Sequence, residues 1–219
     1  MLSRIKLRPT KQKTLARLVS NLANPLIIPP VVLWVLGWSG HLDIYKTLSL
    51  VGISLVFFTI LPLISAIIYS SDQRLWSLDF PDQSSRTPLY ITSTASTLIG
   101  SVLVVTLFDE PYLQVSVTIL GINILAAFLL NFKWKVSVHS SAITTGGFCL
   151  LLFGLFGTAG LPSLLTSLFL FAILLPLVGW ARHHLNIHSI SEIAGGISLG
   201  LTFSSLTILV LSTNFFSHL

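Results

Sequence analysis

Charged residues are scarce in this sequence. Lysine, arginine, aspartate and glutamate together make up 9% of its 219 residues, whereas a soluble domain has about 25%. Hydrophobic residues make up 53%, and the mean hydropathy is +0.89. This composition excludes an ordinary soluble domain.

Cysteine is almost absent as well. The single residue of this type, Cys149, excludes a disulfide bond within the chain and indicates nothing about the redox compartment. We interpret it as a small residue that is buried in an apolar span.

Long apolar runs dominate the chain. Each is about as long as the roughly 20 residues that a helix needs to cross the hydrocarbon core of a membrane. They comprise residues 20–38, 46–70, 89–108, 112–131, 138–158, 162–181 and 190–213. We therefore predict an all-α fold, a polytopic transmembrane bundle of about seven spans. Residues 20–219 would form one membrane-embedded domain, and residues 1–19 a basic N-terminal tail.

The few basic residues are distributed unevenly. If the runs alternate in direction, all of the 12 lysines and arginines except Lys46 fall in the tail or in loops on the tail's side. Since Lys and Arg are enriched on the cytoplasmic side of membranes, we expect the tail and these loops to lie on the cytoplasmic side of the cell membrane. Basic clusters next to a membrane more often meet anionic lipid headgroups than nucleic acid. The expected partners are therefore membrane lipids, and no nucleic acid is expected.

Titratable residues concentrate in one stretch, GWARHHLNIHSISEIAGG, which runs from Gly179 to Gly196. His188 and Glu192 are four residues apart, so both can lie on one side of the first turn of a helix. The carboxylate can then hold one imidazole nitrogen and make the other a better nucleophile. Arg182 adds a planar fork that suits phosphate oxygens.

The same stretch also has a purely structural interpretation. SISE, from Ser189 to Glu192, is a capping-box pattern, which accounts for Glu192 without catalysis. Arg182 and the pair His183–His184 suit an interfacial position after a span. From this stretch alone, the structural and the functional interpretations are equally good.

Two other loops on the same side carry residues that favour the functional interpretation. In KWKVSVHSS, His139 begins the fifth run beside Ser137, and Lys133 and Lys135 come just before it. Two imidazoles, one to attack and one to transfer a proton, suit phosphoryl or acyl transfer. The loop before the third run adds Arg86, a candidate for anion binding.

The stretch from Gly179 to Gly196 contains a segment that resembles the third signature of the type 2 phosphatidic acid phosphatase (PAP2) superfamily, Ser-Arg-x5-His-x3-Asp. In ARHHLNIHSISE, Arg182, His188 and Glu192 stand at its Arg, His and acidic positions. The order of the three motifs, and their placement at the ends of alternating runs, also agrees with this family. The resemblance covers about residues 79–196.

The other two signatures are matched less completely. SVH resembles the second, Ser-Gly-His, and puts Ser137 and His139 at its Ser and His positions. The first, Lys-x6-Arg-Pro, is matched by Arg86 alone. Lys135 is our candidate to supply the charge of the missing lysine.

The resemblance implies a PAP2-like helical core and a phosphatase that acts on a lipid phosphate or diphosphate, phosphatidate-like or polyprenyl-phosphate-like, through phosphohistidine. His188 would attack phosphorus, His139 would protonate the leaving alkoxide and then activate water, and Glu192 would orient His188. The residues expected to bind the phosphoryl oxygens are Arg86, Arg182, Ser137 and Lys135. No cofactor is implied. We expect no metal either, because the carboxylates on this side are too few and too scattered for a two-metal site.

The alternative is a non-catalytic membrane protein, a scaffold or transporter that kept this fold with a decayed site. A transporter of ions usually has ionisable groups near the bilayer centre, and the interiors of the seven runs contain essentially none. This argues against transport and leaves a decayed phosphatase as the main rival.

Overall fold

A computed structural model describes residues 11–69, 83–157 and 159–215 of the chain. The described residues form eight helices. In chain order they are α1 (Lys11–Leu22), α2 (Ile28–Ser39), α3 (Ile44–Tyr69), α4 (Gln83–Leu107), α5 (Pro111–Asn131), α6 (Val138–Phe156), α7 (Gly160–His184) and α8 (Ile190–Phe215).

The predicted all-α membrane fold is confirmed. Six of the described helices, α3 to α8, are long and apolar enough to cross a membrane, by length and composition. They correspond to six of the seven predicted runs. Short π-helical segments occur in α3 at Leu55–Ile60 and in α7 at Leu170–Leu174, and neither ends its helix. The protein is therefore a multi-pass membrane protein.

The first predicted run, residues 20–38, is not one continuous span. It is divided between the end of α1 at Leu22 and the start of α2 at Ile28. α2 has 12 residues, about 18 Å of helix, whereas the hydrocarbon core is about 30 Å thick. The first run thus contributes a shorter apolar helix and an irregular segment before it.

The irregular segment depends on a proline in its own sequence and on a contact with a neighbouring helix. Pro30 has no N–H with which to satisfy the carbonyl of Leu26 four residues earlier. The hydroxyl of Thr59 in α3 donates to that carbonyl instead, at 2.6 Å. The side chain of Asn24 accepts a hydrogen bond from the N–H of Leu26 at 2.9 Å. A neighbouring helix therefore stabilises a break that the apolar run alone does not reveal.

Small side chains attach α1 to the rest of the bundle. α1 packs against α7, and its Ala16 and Ser20 are buried, whereas Leu15 and Leu18 are more than half exposed. The boundary predicted after residue 19 falls inside this helix. Residues 11–19 therefore belong to a helix in contact with the membrane bundle, and residues 1–10 of the predicted tail lie outside the described part.

The short links between helices meet at one end of the bundle. Lys46, near the start of α3, forms an ion pair of 3.2 Å with Glu110, which lies just before α5. Ser39 and Ser163, at the end of α2 and the start of α7, share a hydrogen bond of 2.9 Å. Since successive spans alternate in direction, the loops that carry the candidate residues lie at the opposite end.

Glycine lets α8 lie close against α6. A Cβ on Gly196 would meet the carbonyl oxygen of Ser137, and one on Gly200 would lie 3.0 Å from the carbonyl oxygen of Ser141. The close approach allows the N–H of Ser137 to donate to the carbonyl of Glu192 at 3.0 Å. The second and third sequence motifs are thereby joined through their backbones.

We expect Gly196→Val to lower the unfolding temperature of the protein in detergent. The atom that a new side chain meets belongs to the backbone of Ser137, which cannot turn aside, and overpacking of this kind costs about 1–3 kcal/mol. Gly52→Ala is the matched control, because a Cβ there meets nothing within 4 Å. It should leave the unfolding temperature unchanged or raise it. Equal unfolding temperatures for Gly196→Val and wild type would contradict the close approach.

Candidate active site

A tight turn at the end of α7 brings His188 back towards Arg182. The carbonyl of Arg182 accepts hydrogen bonds from the N–H of Ile187 at 3.0 Å and from the N–H of His188 at 3.3 Å. Within this turn, Asn186 has a φ of 56°, a left-handed conformation that asparagine tolerates better than most residues. The turn fixes the imidazole of His188 relative to the guanidinium of Arg182.

Glu192 both caps α8 and contacts His188, the two alternatives between which the sequence did not decide. Its Oε2 lies 3.0 Å from Nδ1 of His188 and also accepts from the N–H of Ser189 at 3.0 Å. The hydroxyl of Ser189 in turn accepts from the N–H of Glu192 at 3.3 Å. This reciprocal pair is a capping box at the start of α8. The helix cap and the histidine contact therefore share one carboxylate oxygen.

The surroundings of His188 favour its neutral form. The pKa of His188 is lowered from 6.5 to about 4, chiefly by burial and next by the positive charge of Arg182. Lys135 acts in the same direction, and Glu192 partly opposes the shift. Since a carboxylate accepts hydrogen bonds, Nδ1 carries the proton of the neutral ring, and Nε2 keeps its lone pair. At neutral pH, His188 thus has the tautomer that a nucleophile needs.

Two contacts hold the cationic side chains around this histidine. The amine of Lys135 donates to the carbonyl of Ile187 at 2.9 Å, which ties the link before α6 to the turn after α7. Arg182 donates from Nη1 to the hydroxyl of Ser20 at 3.1 Å. Ser20 was not among the predicted site residues. The four-residue spacing of Ala16 and Ser20 in α1 indicates a packed face, but nothing local in the sequence links Ser20 to Arg182.

A cavity of about 150 Å³ lies beside His188. Arg86, Lys135 and Arg182 line it together with His188, and these come from helix ends on the same side of the bundle. Nε and Nη1 of Arg86 are buried and have no hydrogen-bond partner among the described residues, as expected for a guanidinium that binds an anion. Most of the remaining lining is apolar and includes Leu26, Phe58, Pro62, Leu89, Ile124 and Ala127.

His139 and Ser137 are placed differently from the other predicted residues. His139 is 1% exposed and does not line the cavity, but it lies close enough to Arg182 and His188 for their charges to interact with it. The hydroxyl of Ser137 is buried and caps α6 by accepting from the N–H of Ser140 at 3.4 Å. The structure thus brings Arg86, Lys135, Arg182 and His188 to one cavity and Glu192 into contact with His188. It leaves His139 outside the cavity lining and uses Ser137 as a helix cap.

Within residues 11–69, 83–157 and 159–215, no three His, Cys, Asp or Glu side chains lie close enough together to hold a metal ion. Comparisons of the chain with protein-family models, with curated proteins and with solved structures found no match.

The protonation of His188 can be measured directly. We expect the imidazole of His188 to titrate near pH 4 in the folded protein, well below 6.5, because burial and Arg182 disfavour the charged ring. Histidine NMR in detergent would follow this, with the signal assigned from its loss in His188→Gln. Glu192→Gln should lower the pKa further, because the carboxylate favours the charged ring.

The sign of the pH effect on stability follows from the same shift. An unfolded His188 binds its proton near pH 6.5 and the folded one only near pH 4, so this group reduces stability as the pH falls through that window. A midpoint for His188 at or above 6.5 would contradict the buried, neutral histidine.

Proposed function

We propose that this protein is a membrane-embedded lipid phosphatase of the PAP2 type that its motifs resemble. One observation carries the proposal: a neutral His188, held at Nδ1 by Glu192 at 3.0 Å, lines a cavity that it shares with Arg86, Lys135 and Arg182. A nucleophile surrounded by three cations is suited to phosphorus that carries negatively charged oxygens.

The surroundings of the cavity support a lipid as the substrate. Its charged residues lie at helix ends or in the links next to them, whereas apolar residues of α3, α4, α5 and α6 line it within the spans, among them Phe58, Leu89, Ile124 and Ala142. A molecule with a phosphate group and a hydrocarbon chain would match both parts. A free sugar phosphate or nucleotide would leave the apolar part unfilled.

The reaction we propose has two displacement steps. Nε2 of His188 attacks phosphorus as the bond from phosphorus to the lipid oxygen breaks. That oxygen takes the electron pair and a proton from the imidazolium form of His139, whose ring must turn towards the cavity for this step because it does not line it. Water then attacks the phosphohistidine and gives a proton to His139, while the phosphorus–nitrogen bond breaks and releases phosphate. Arg86, Arg182 and Lys135 bind the phosphoryl oxygens throughout. A direct role for Ser137 would require its hydroxyl to leave the helix cap.

The first test is the removal of the nucleophile. We expect His188→Ala to lower phosphate release in detergent micelles by at least about 1,000-fold, measured with a panel that includes lysophosphatidate, phosphatidate and a polyprenyl phosphate. The matched control is His184→Ala, since His184 stacks on Trp180 with ring centroids 5.4 Å apart and does not line the cavity. Full activity in His188→Ala would end this mechanism.

We further propose that the charged end of the cavity faces the cytoplasm of the cell. The charge distribution supports this orientation, since Lys46 alone among the 12 basic residues belongs to the other side, and Lys and Arg are enriched on the cytoplasmic side. Catalytic roles for Arg86 and Arg182 do not reverse the imbalance, because the basic residues of α1 and the tail remain.

Cysteine labelling in intact cells tests this orientation. Lys133 is exposed before α6 at the charged end, Asp109 is exposed before α5 at the other end, and the native Cys149 is buried. In intact cells, a membrane-impermeant maleimide should label Asp109→Cys but not Lys133→Cys. After permeabilisation, it should label both variants. The reverse pattern would overturn the orientation and leave the catalytic proposal untouched.

A further inference from the structure

Two of the polar side chains that line the cavity inside the spans have a buried polar atom without a hydrogen-bond partner among the described residues. They are Asn123 in α5, which is 4% exposed, and Thr145 in α6, which is 1% exposed. Polar groups within a membrane span are costly and are commonly retained for function. Neither residue belongs to the motifs discussed above, and the phosphatase reaction does not use either.

The hydrogen bonds of Asn123 show which atom is left over. Nδ2 donates to the carbonyl of Ile119 at 3.0 Å and to the hydroxyl of Ser204 at 3.2 Å. A carbonyl only accepts, so the amide must present its nitrogen there and cannot be flipped. Oδ1 is buried and receives no hydrogen bond within the part of the chain that the structure describes. The free atom of Asn123 is therefore an acceptor.

Thr145, which lines the same cavity, has a second unsatisfied group. Its hydroxyl is buried and has no hydrogen-bond partner in the described ranges, and it can donate or accept. Together the two residues suit a ligand with a hydroxyl or an amide N–H, which can donate to Asn123 and exchange a hydrogen bond with Thr145. An ester carbonyl or a hydrocarbon cannot satisfy Oδ1 of Asn123.

The spacing along α6 limits where such a donor can be in the ligand. Val138, at the charged end of α6, and Thr145 both line the cavity and are seven residues, or about 10 Å, apart along the helix axis. A phosphate level with Val138 and a contact of about 3 Å from Thr145 to the donor leave about 7 Å between the phosphate and the donor. The donor must then lie within a few bonds of the phosphate ester, and not far along a hydrocarbon chain.

We propose that Asn123 and Thr145 form a subsite that selects phosphate lipids with a hydrogen-bond donor close to the phosphate. This inference rests on the proposed function for the identity of the headgroup. The donor is either a hydroxyl, as in a monoacyl glycerol phosphate, or an amide N–H, as in an N-acyl amino-alcohol phosphate. Diacyl phosphatidate and polyprenyl phosphate have neither group there and are the poorer substrates.

Matched ligand pairs test the subsite. The hydroxyl pair is 1-acyl lysophosphatidate and its 2-deoxy analogue, and the amide pair is N-acyl ethanolamine phosphate and the O-acyl ester of glycol phosphate. Each pair differs by one donor. We expect kcat/KM for phosphate release to favour the donor-bearing member by about tenfold in at least one pair, the size expected of one buried hydrogen bond. The pair that shows the preference identifies the source of the donor.

Two variants and two controls locate the preference. Thr145→Val, which keeps the side-chain shape, and Asn123→Leu should reduce the ratio within that pair to about one. Thr144→Val and Asn131→Leu should keep it. Thr144 and Asn131 are likewise buried, have polar atoms without a partner among the described residues and lie on the same two helices, but do not line the cavity. Thr145→Val keeps the test valid if Asn123→Leu fails to fold.

Binding, measured as the rise in unfolding temperature on adding each ligand, separates the two proposals. A ligand that binds the folded state raises this temperature whether or not it is hydrolysed. Turnover without preference in either pair overturns the subsite and leaves the phosphatase. Preferential binding of the donor-bearing lipid without turnover keeps the subsite and overturns the phosphatase. Neither turnover nor preferential binding overturns both.

Discussion

The site depends on one carboxylate oxygen, Oε2 of Glu192. It caps α8 through the N–H of Ser189 and holds Nδ1 of His188, each at 3.0 Å. The start of a spanning helix and the orientation of the imidazole are therefore set by the same atom. The carbonyl of Glu192 also accepts from Ser137 at the start of α6. Burial beside Arg182 then keeps His188 neutral where it lines the cavity together with Arg86 and Lys135.

The sequence predicts the parts of this arrangement that are local. Long apolar runs identify α3 to α8 because a spanning helix must be apolar along its length. The capping-box pattern that ends at Glu192 locates the start of α8, and its four-residue spacing from His188 predicts their contact. Alternating spans place Arg86, Lys135 and Arg182 at one end, and all three line one cavity.

What the sequence does not predict arises from contacts between distant segments. The interruption before α2 depends on Thr59, which satisfies the carbonyl that Pro30 leaves free. The contact of Ser20 with Arg182 joins residues 162 positions apart. A search of the spans for ionisable residues does not find Asn123, because asparagine carries no charge. Its position at the cavity is seen only in the folded chain. Packing, and not periodicity, determines these features.

The central claim is that His188 carries the phosphoryl group during the reaction. It is tested most directly by trapping that intermediate with a lipid phosphate that carries radioactive phosphorus. The reaction would be quenched in alkali, because phosphohistidine is labile in acid. Once formed, the phosphohistidine should break down more slowly in His139→Ala than in wild type, because the water that releases the phosphate is no longer activated. Mass spectrometry should find the phosphate on His188 and should find none in His188→Ala. Lipid phosphate hydrolysis with no phosphate on His188 in either protein, or with phosphate on another residue, would contradict the account.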